Sequence, residues 1–265
     1  MISKKIHYCW FGNNPLDEKA IQCLASWKKY FPNYEIIQWN ENNFDISQVE
    51  FMKDAYEAQK WAFVSDVARL IIVYEYGGIY FDTDVEVVHS YDDIINEATK
   101  AFMGIEGDGL VNTGLGFGAE KGHPFLKKHI EYYKQLKYAE YKSHISDIAC
   151  PILTTKLLMD SDFVVEDSRQ MIEEIDIYPT AYFAPMDYQT GKLNRTDVTH
   201  SVHWYNASWQ DEAVRREQEK LRKLSSILGV RLAENLYGII NCMKREGLFR
   251  YVVNRVGRFL SRKVK

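Results

Sequence analysis

Apolar and polar positions alternate in blocks along this chain, and the block lengths predict its elements. Lys5–Gly12 (KIHYCWFG) is a short apolar run ending at a glycine, which predicts a buried strand. Asn13, Asn14 and Pro15 then predict a loop, and Leu16–Tyr30 carries apolar residues at helical spacing. Tyr34–Asn40 (YEIIQWN) predicts a second strand. Strand, helix, strand with short links is the pattern of a parallel α/β sheet, whose ligands bind outside the carboxyl ends of the strands. Trp10 lies near one such end.

Further along, Ala62–Tyr76 predicts a strong helix, and Gly77 stands where a left-handed cap would end it. Ile79–Phe81 is a short apolar strand leading into Asp82-Thr83-Asp84. Ala101–Ile105 and Gly114–Gly118 predict more strand, Lys121–Leu136 and Pro151–Met159 more helix, and Thr199–Trp209 a strand or loop. No internal repeat or low-complexity stretch interrupts the pattern.

Composition adds mainly exclusions. The 265 residues are 46% hydrophobic and 26% charged, enough for one full core with a small appendage. The net charge of −4 conceals an asymmetry. Residues 211–265 hold 14 Lys and Arg against 6 Asp and Glu (+8), so residues 1–210 carry −12. An acidic body argues against a nucleic-acid partner. Cys9, Cys23, Cys150 and Cys242 show neither zinc-site spacing nor a disulfide framework, so free thiols in a reducing compartment are expected. The amino-terminal apolar run is too short for a signal peptide, and no stretch approaches the 18 apolar residues of a membrane span. A cytoplasmic protein is expected.

The chemistry concentrates in Ser65–Asp84 (SDVARLIIVYEYGGIYFDTD). Asp66 and Arg69 are three apart on a helix and share a face, which by itself predicts only a surface ion pair. Asp82 and Asp84 flank one residue at a strand end and have no adjacent basic residue. Two such carboxylates repel, and a divalent cation shared with a diphosphate relieves that repulsion. A solvated turn is the plainer alternative. A lone D-x-D is weak, but here it follows a helix bearing Asp and Arg, a Gly-Gly stop and an aromatic strand.

This combination resembles glycosyltransferase family 32. That family includes capsular polysaccharide transferases and outer-chain mannosyltransferases, and is related to the large glucosylating toxins. The matching blocks are S-D-x-x-R, G-G-x-Y-x-D-x-D, the opening I-H-Y-C-W-F-G and the closing H-x-x-x-x-S-W; together they span roughly residues 4–210. The resemblance implies an α/β, GT-A type Rossmann-like nucleotide-sugar-binding fold over residues 1–210, with a basic helical extension over 211–265. It implies that Trp10 stacks on the nucleotide base, and that Asp66, Arg69 and Asp82 contact the donor sugar and its surroundings. Asp84 would ligate Mn²⁺ or Mg²⁺ with Asp82, and His203 would be a third ligand or a phosphate contact. Asn112 would approach the anomeric carbon, and Ser208 and Trp209 would close over the diphosphate. Asp82, Asp84 and Arg69 would carry catalysis. One departure stands out: Cys150-Pro151 occupies a place where many relatives have Gly-Pro, on what the family makes its acceptor side.

The expected activity is retaining, metal-dependent transfer of a sugar, from a UDP-sugar in the first instance and GDP-mannose in the second. The expected acceptor is a saccharide or lipid-linked saccharide of a surface polysaccharide. A P-loop phosphotransferase is disfavoured because no G-x-x-x-x-G-K-[ST] segment exists. A binding protein without activity is disfavoured by the intact acidic set. In the tail, Leu248, Tyr251, Val252, Val256 and Phe259 recur among Arg250, Arg255, Arg258 and Arg262. This predicts a basic amphipathic helix and peripheral contact, through residues 236–265, with the inner face of the plasma membrane.

Overall fold

The computed structural model describes residues 1–107, 109–141, 145–206 and 212–246. The chain opens with β1 (Lys5–Cys9), α1 (Glu18–Tyr30) and β2 (Glu35–Trp39), then α2 (Glu50–Glu57), α3 (Trp61–Tyr76) and β3 (Gly78–Tyr80). β4 (Val85–Val87), β5 (Ala101–Glu106), β6 (Leu110–Asn112) and β7 (Phe117–Ala119) follow. Next come α4 (Pro124–Gln135), α5 (Tyr138–Tyr141), α6 (Cys150–Met159), β8 (Gln170–Ile172), β9 (Ile175–Tyr178) and α7 (Thr180–Phe183). β10 (Ser201–His203), α8 (Glu212–Leu228) and α9 (Val230–Glu246) complete the described chain.

The main sheet runs β2-β1-β3-β7-β5-β9-β8, with β6 paired to β5. β2, β1 and β3 are mutually parallel, as the strand–helix–strand pattern predicts. β7 lies antiparallel between β3 and β5, and β9 returns parallel to β5. Alternate strand residues feed different cores. Ala101, Met103 and Ile105 of β5 join one cluster with α2, α3, α4 and α6, while Phe102 joins the other, with α1, β4 and α7. This α/β sheet, with a parallel amino-terminal half and helices on both faces, is the GT-A-like architecture expected.

Local chemistry sets the elements around the site. Asp17 caps α1, its Oδ1 accepting from the Ala20 backbone N–H at 2.8 Å. α3 is apolar nearly all round, with an unbroken buried run from Asp66 to Val73, as befits a helix enclosed by the core. It ends at Gly77 and Gly78, with φ of 62° and 110°. ψ at Gly77 is 178°, so the stop is an extended positive-φ turn rather than the left-handed cap expected. A Cβ at Gly78 would lie 2.7 Å from the Lys5 carbonyl oxygen, which is why only glycine brings β3 against β1 here.

Several boundaries differ from expectation. β1 stops at Cys9 rather than Gly12, and Gly114–Gly116 is irregular, with β7 running from Phe117 to Ala119. The described chain divides into two compact units, Met1–Met186 with Leu193–Trp209, and Asp187–Lys192 with Gln210–Lys265. In the second, α8 packs on α9. Among the described residues no helix is long and apolar enough to cross a membrane. Cys9, Cys23 and Cys150 are free and buried.

Candidate functional site

The acidic pair lies in the turn that joins β3 to β4, at the carboxyl end of β3. The Val85 N–H donates to the Asp82 carbonyl at 3.0 Å and closes this turn. The two side chains therefore do not follow strand alternation, as a strict strand would require. They are directed by two separate sets of partners.

Asp82 belongs to the α3 side. Its Oδ1 accepts from the Tyr80 hydroxyl at 3.0 Å and from Arg69 Nη2 at 3.1 Å. The same Arg69 nitrogen lies 2.9 Å from Asp66 Oδ1, and Arg69 Nε donates to the Ser65 carbonyl. The Arg69 side chain is only 4% exposed. The expectation of a surface i,i+3 pair is thus corrected: this is a buried Asp66–Arg69–Asp82 bridge, with the guanidinium 4.9 Å from the centre of the Tyr80 ring. Burial pushes the Asp66 carboxyl up to about 6 against the pull of Arg69. Burial also raises Asp82, with Arg69 opposing and Asp84 adding to the rise.

Asp84 belongs to the β10 side. Its Oδ1 lies 3.2 Å from His203 Nε2, and its Oδ2 accepts from the Asn206 backbone N–H at 2.7 Å. Trp204 N–H donates to the Asp84 carbonyl, extending the β4–β10 ribbon by one pair. Burial would raise Asp84, but His203 and the Asn206 N–H outweigh it and hold the carboxyl below its usual range. Burial would lower His203, but Asp84 outweighs it and raises the imidazole. Tyr205, two residues on, holds φ at 51°, a costly value for a non-glycine residue and the kind of strain that gathers at functional sites.

Asp82, Asp84 and His203 each offer one ligand atom, all within 4.8 Å of one another. Two carboxylates with one imidazole suit a hard or borderline divalent cation, Mg²⁺ or Mn²⁺, completed by water and phosphate oxygens. His203 Nδ1 is buried with no hydrogen-bond partner among the described residues.

Asn112 ends β6 and turns toward the same place. Its Nδ2 donates to Glu106 Oε2 at 2.9 Å and its Oδ1 accepts from the Gly114 N–H at 2.6 Å. The Gly114 carbonyl in turn accepts from the Asp82 N–H. Gly114 marks the convergence: a Cβ there would stand 2.3 Å from Asp82 Oδ2, 3.0 Å from Asn112 Oδ1 and 3.1 Å from Arg69 Nη1. Trp10 follows β1, the parallel neighbour of β3. Its indole N–H donates to the Asn14 carbonyl at 2.6 Å, and its ring is half-buried.

The structure thus gathers Asp66, Arg69, Asp82 and Asn112 into one cluster and Asp84 with His203 into another. Ser208 and Trp209 lie outside the described residues. Cys150, which the resemblance puts on the acceptor side, lies beside Asp66, and its Sγ lies 2.8 Å from Thr113 Oγ1. Sequence reasoning does not reach Tyr80, Glu106, Gly114 and Asn206. Tyr80 carries a usable signal, two residues before Asp82 in a strand and so on its side; the other three depend on long-range folding.

Residues 17–101 match the family model described as "Glycosyltransferase sugar-binding region containing DXD motif". The chain resembles DXD-containing glycosyltransferases. Inositol phosphoceramide mannosyltransferase 3 of Schizosaccharomyces pombe is 30% identical over 129 residues, covering 47% of this chain and 35% of that protein. Inositol phosphoceramide mannosyltransferase 1 of the same yeast is 25% identical over 154 residues, covering 54% of this chain and 46% of that protein. The chain thus spans less than half the length of these two glycosyltransferases. Among solved structures, one titled "PaToxG Glycosyltransferase" aligns at a TM-score of 0.48 with 17% identity, covering 60% of this chain and 68% of that one.

Proposed function

We propose that this protein is a metal-dependent glycosyltransferase that moves a sugar from a nucleotide-sugar donor to a saccharide or lipid-linked acceptor. The observation that carries the reading is the convergence at the β3 end of two acidic residues held by different partners, Asp82 by Arg69 and Tyr80, and Asp84 by His203. The DXD family match over residues 17–101 supports it.

In this reading Asp82, Asp84 and His203 would hold Mn²⁺ or Mg²⁺, and that ion would supply Lewis-acid chemistry toward the diphosphate of the donor. His203 would offer Nε2 to the metal only without a proton there, and Asp84 Oδ1 is the group that faces that nitrogen at 3.2 Å. Arg69 keeps Asp82 oriented and adds positive potential where the phosphate charge grows. Asp66 and Asn112 offer polar contacts to the donor sugar. Trp10 offers a ring face for the base, a contact that tolerates any base and so does not choose between uridine and guanosine. Ser208 and Trp209, which the family 32 resemblance makes a closing segment, lie outside the described residues. Retention of anomeric configuration rests on the family 32 resemblance, and a same-face return of the acceptor suits a site in which both aspartates are already engaged.

The sugar itself has two readings. The family 32 resemblance favours a UDP-sugar, but both yeast relatives are named mannosyltransferases, which favours mannose and a GDP donor. Their names also carry a lipid acceptor, inositol phosphoceramide. α9 turns a stripe of exposed Leu232, Leu236 and Ile240 outward at helical spacing, and the basic stretch from 247 lies outside the described residues. Peripheral contact with an anionic membrane through residues 236–265 completes the proposal, and deleting them is expected to release the protein from anionic liposomes.

The test is a panel of UDP- and GDP-sugars with Mn²⁺, following nucleoside diphosphate release with and without simple saccharide acceptors. Release from one donor, lost on adding EDTA, is the expected outcome. Donor turnover that is indifferent to EDTA would overturn the metal-dependent reading.

A further inference from the structure

A second group of potential ligands lies at the opposite end of the β4–β10 ribbon from Asp84 and His203. His89, Asp93 and His200 each present one ligand atom, all within 4.8 Å of one another. His200 immediately precedes β10, and its carbonyl accepts from both the Val88 and His89 backbone N–H groups, at 2.8 and 3.2 Å. His89 and Asp93 sit on the segment that leaves β4. The ribbon therefore has an acidic-imidazole group at each end.

His200 is the informative member. Its side chain is 2% exposed and its ring is fixed on two faces. Tyr182 stacks on it with ring centroids 5.6 Å apart and planes 1° apart, and Tyr91 meets it edge-on at 5.3 Å. Tyr91 is itself pinned by donating to Ser201 Oγ. Both ring nitrogens of His200 face oxygens: Nδ1 is 2.7 Å from the Val198 carbonyl and Nε2 is 2.8 Å from Asp93 Oδ1. An imidazole so placed either carries two protons, as an ion pair with Asp93, or donates only from Nδ1 and lends its Nε2 lone pair to a cation shared with Asp93. The second state has the usual arrangement of a metal-binding histidine, whose other nitrogen is oriented by a backbone carbonyl. His89 supplies the third ligand. Its Nδ1 lies 3.1 Å from the Ser90 carbonyl, and its ring is 5.3 Å from that of His200.

We infer that His89, Asp93 and His200 form a second metal site, of the Zn²⁺ class, which ties the segment after β4 to the start of β10. Two imidazoles and one carboxylate match the nitrogen-rich sets that Zn²⁺ favours, whereas the Asp82–Asp84–His203 set is oxygen-rich. Tetrahedral Zn²⁺ with ligands at about 2.0–2.2 Å needs its ligand atoms roughly 3.4 Å apart. His89 and Asp93 are exposed, so Asp93 can draw back from the 2.8 Å at which it meets His200 while His89 adjusts to the ion, and water completes the coordination from the solvent side. The site does not depend on the glycosyltransferase reading. Its place in the fold makes it structural, because it fixes the register of the strand that ends in His203.

The experiment uses the full chain, stripped of metal, in an Asp84→Asn background that disables the first site. Titration with Zn²⁺ is expected to show one bound equivalent, and Co²⁺ in its place should give the visible absorption of tetrahedral coordination. Adding His89→Ala, an exposed substitution that leaves the His200 cage intact, should weaken Zn²⁺ binding roughly 100-fold or more and abolish the Co²⁺ bands. Saturating Zn²⁺ should raise Tm in the first protein and not in the second. In otherwise wild-type protein, His89→Ala should lower the Zn²⁺ stoichiometry by one equivalent. Absence of Zn²⁺ binding in the Asp84→Asn protein, or binding and Tm unchanged by His89→Ala, would leave His200 and Asp93 as an ion pair and overturn the inference.

Discussion

Gly114→Ala tests whether the Asp66–Arg69–Asp82 bridge sets the geometry of the site. The new Cβ would stand 2.3 Å from Asp82 Oδ2, where ordinary contact begins at 3.4 Å, so something must move by about 1 Å. The backbone has little freedom, because Gly114 N–H is bound to Asn112 and its carbonyl to the Asp82 N–H. Arg69 Nη1 and Asn112 Oδ1, at 3.1 and 3.0 Å from the Cβ, block two directions of relief. The Asp82 carboxylate must therefore swing, and its bonds to Arg69 and Tyr80, already 3.1 and 3.0 Å long, pass beyond hydrogen-bonding range. Overpacking of this kind costs about 1–3 kcal/mol, a Tm loss of several degrees for a chain of this size. A reacting geometry displaced by about 1 Å loses on the order of 100-fold in rate. The assay is nucleoside diphosphate release under saturating donor, with thermal unfolding measured on the same protein. Gly107→Ala is the control, since a Cβ there meets nothing within 4 Å. If Gly114→Ala turns over donor like Gly107→Ala and melts with wild type, the crowded cluster does not set the site.

Three further outcomes are expected. Trp10→Ala should raise the donor KM by about 10-fold or more with kcat little changed, as befits a lost base-stacking contact worth about 1–3 kcal/mol; an unchanged KM would return Trp10 to a packing role. Asp17→Ala removes both the α1 cap and the acceptor of Asn206 Nδ2, and should cost about 1 kcal/mol of stability by denaturant titration; no change in midpoint would refute the cap's contribution. His129 is held neutral by burial and by nearby Arg69, its pKa falling from 6.5 to about 3, and among the described residues neither ring nitrogen has a hydrogen-bond partner. Below pH 6.5 the unfolded chain takes up a proton that the folded chain refuses until about pH 3, so stability falls as pH falls through that window, by up to about 1.4 kcal/mol per unit. His129→Leu should flatten that part of the stability–pH curve; an identical slope would refute it.

What the sequence disclosed depended on whether the determining contact was local. α1, α3 and the parallel β1–β2 pair are legible because period and punctuation lie within one window. The D-x-D pair is legible as chemistry but not as geometry. Its sequence shows no basic neighbour, yet Arg69 reaches Asp82 across the α3–β3 turn, and the Asn206 N–H reaches Asp84 from 122 residues away. β4 is three residues long, too short for any period to declare itself; β7 and β10, equally short, are reached only within longer stretches with loose bounds, and α2 is hidden between stronger signals. The Asp66–Arg69 pair reads as superficial because i,i+3 spacing gives the face of a helix and not what covers it. Here β3 and the Gly114 turn cover it.

The central claim is that Asp84 helps to hold a divalent cation through which the nucleotide diphosphate is bound. Calorimetric titration of UDP and of GDP into the full chain, with Mn²⁺ and with EDTA, for wild type and Asp84→Asn, tests it most directly. The account predicts tight binding of one nucleotide to wild type with Mn²⁺, and loss of that binding both in EDTA and in Asp84→Asn. Nucleotide binding of equal strength in all of these conditions would contradict it.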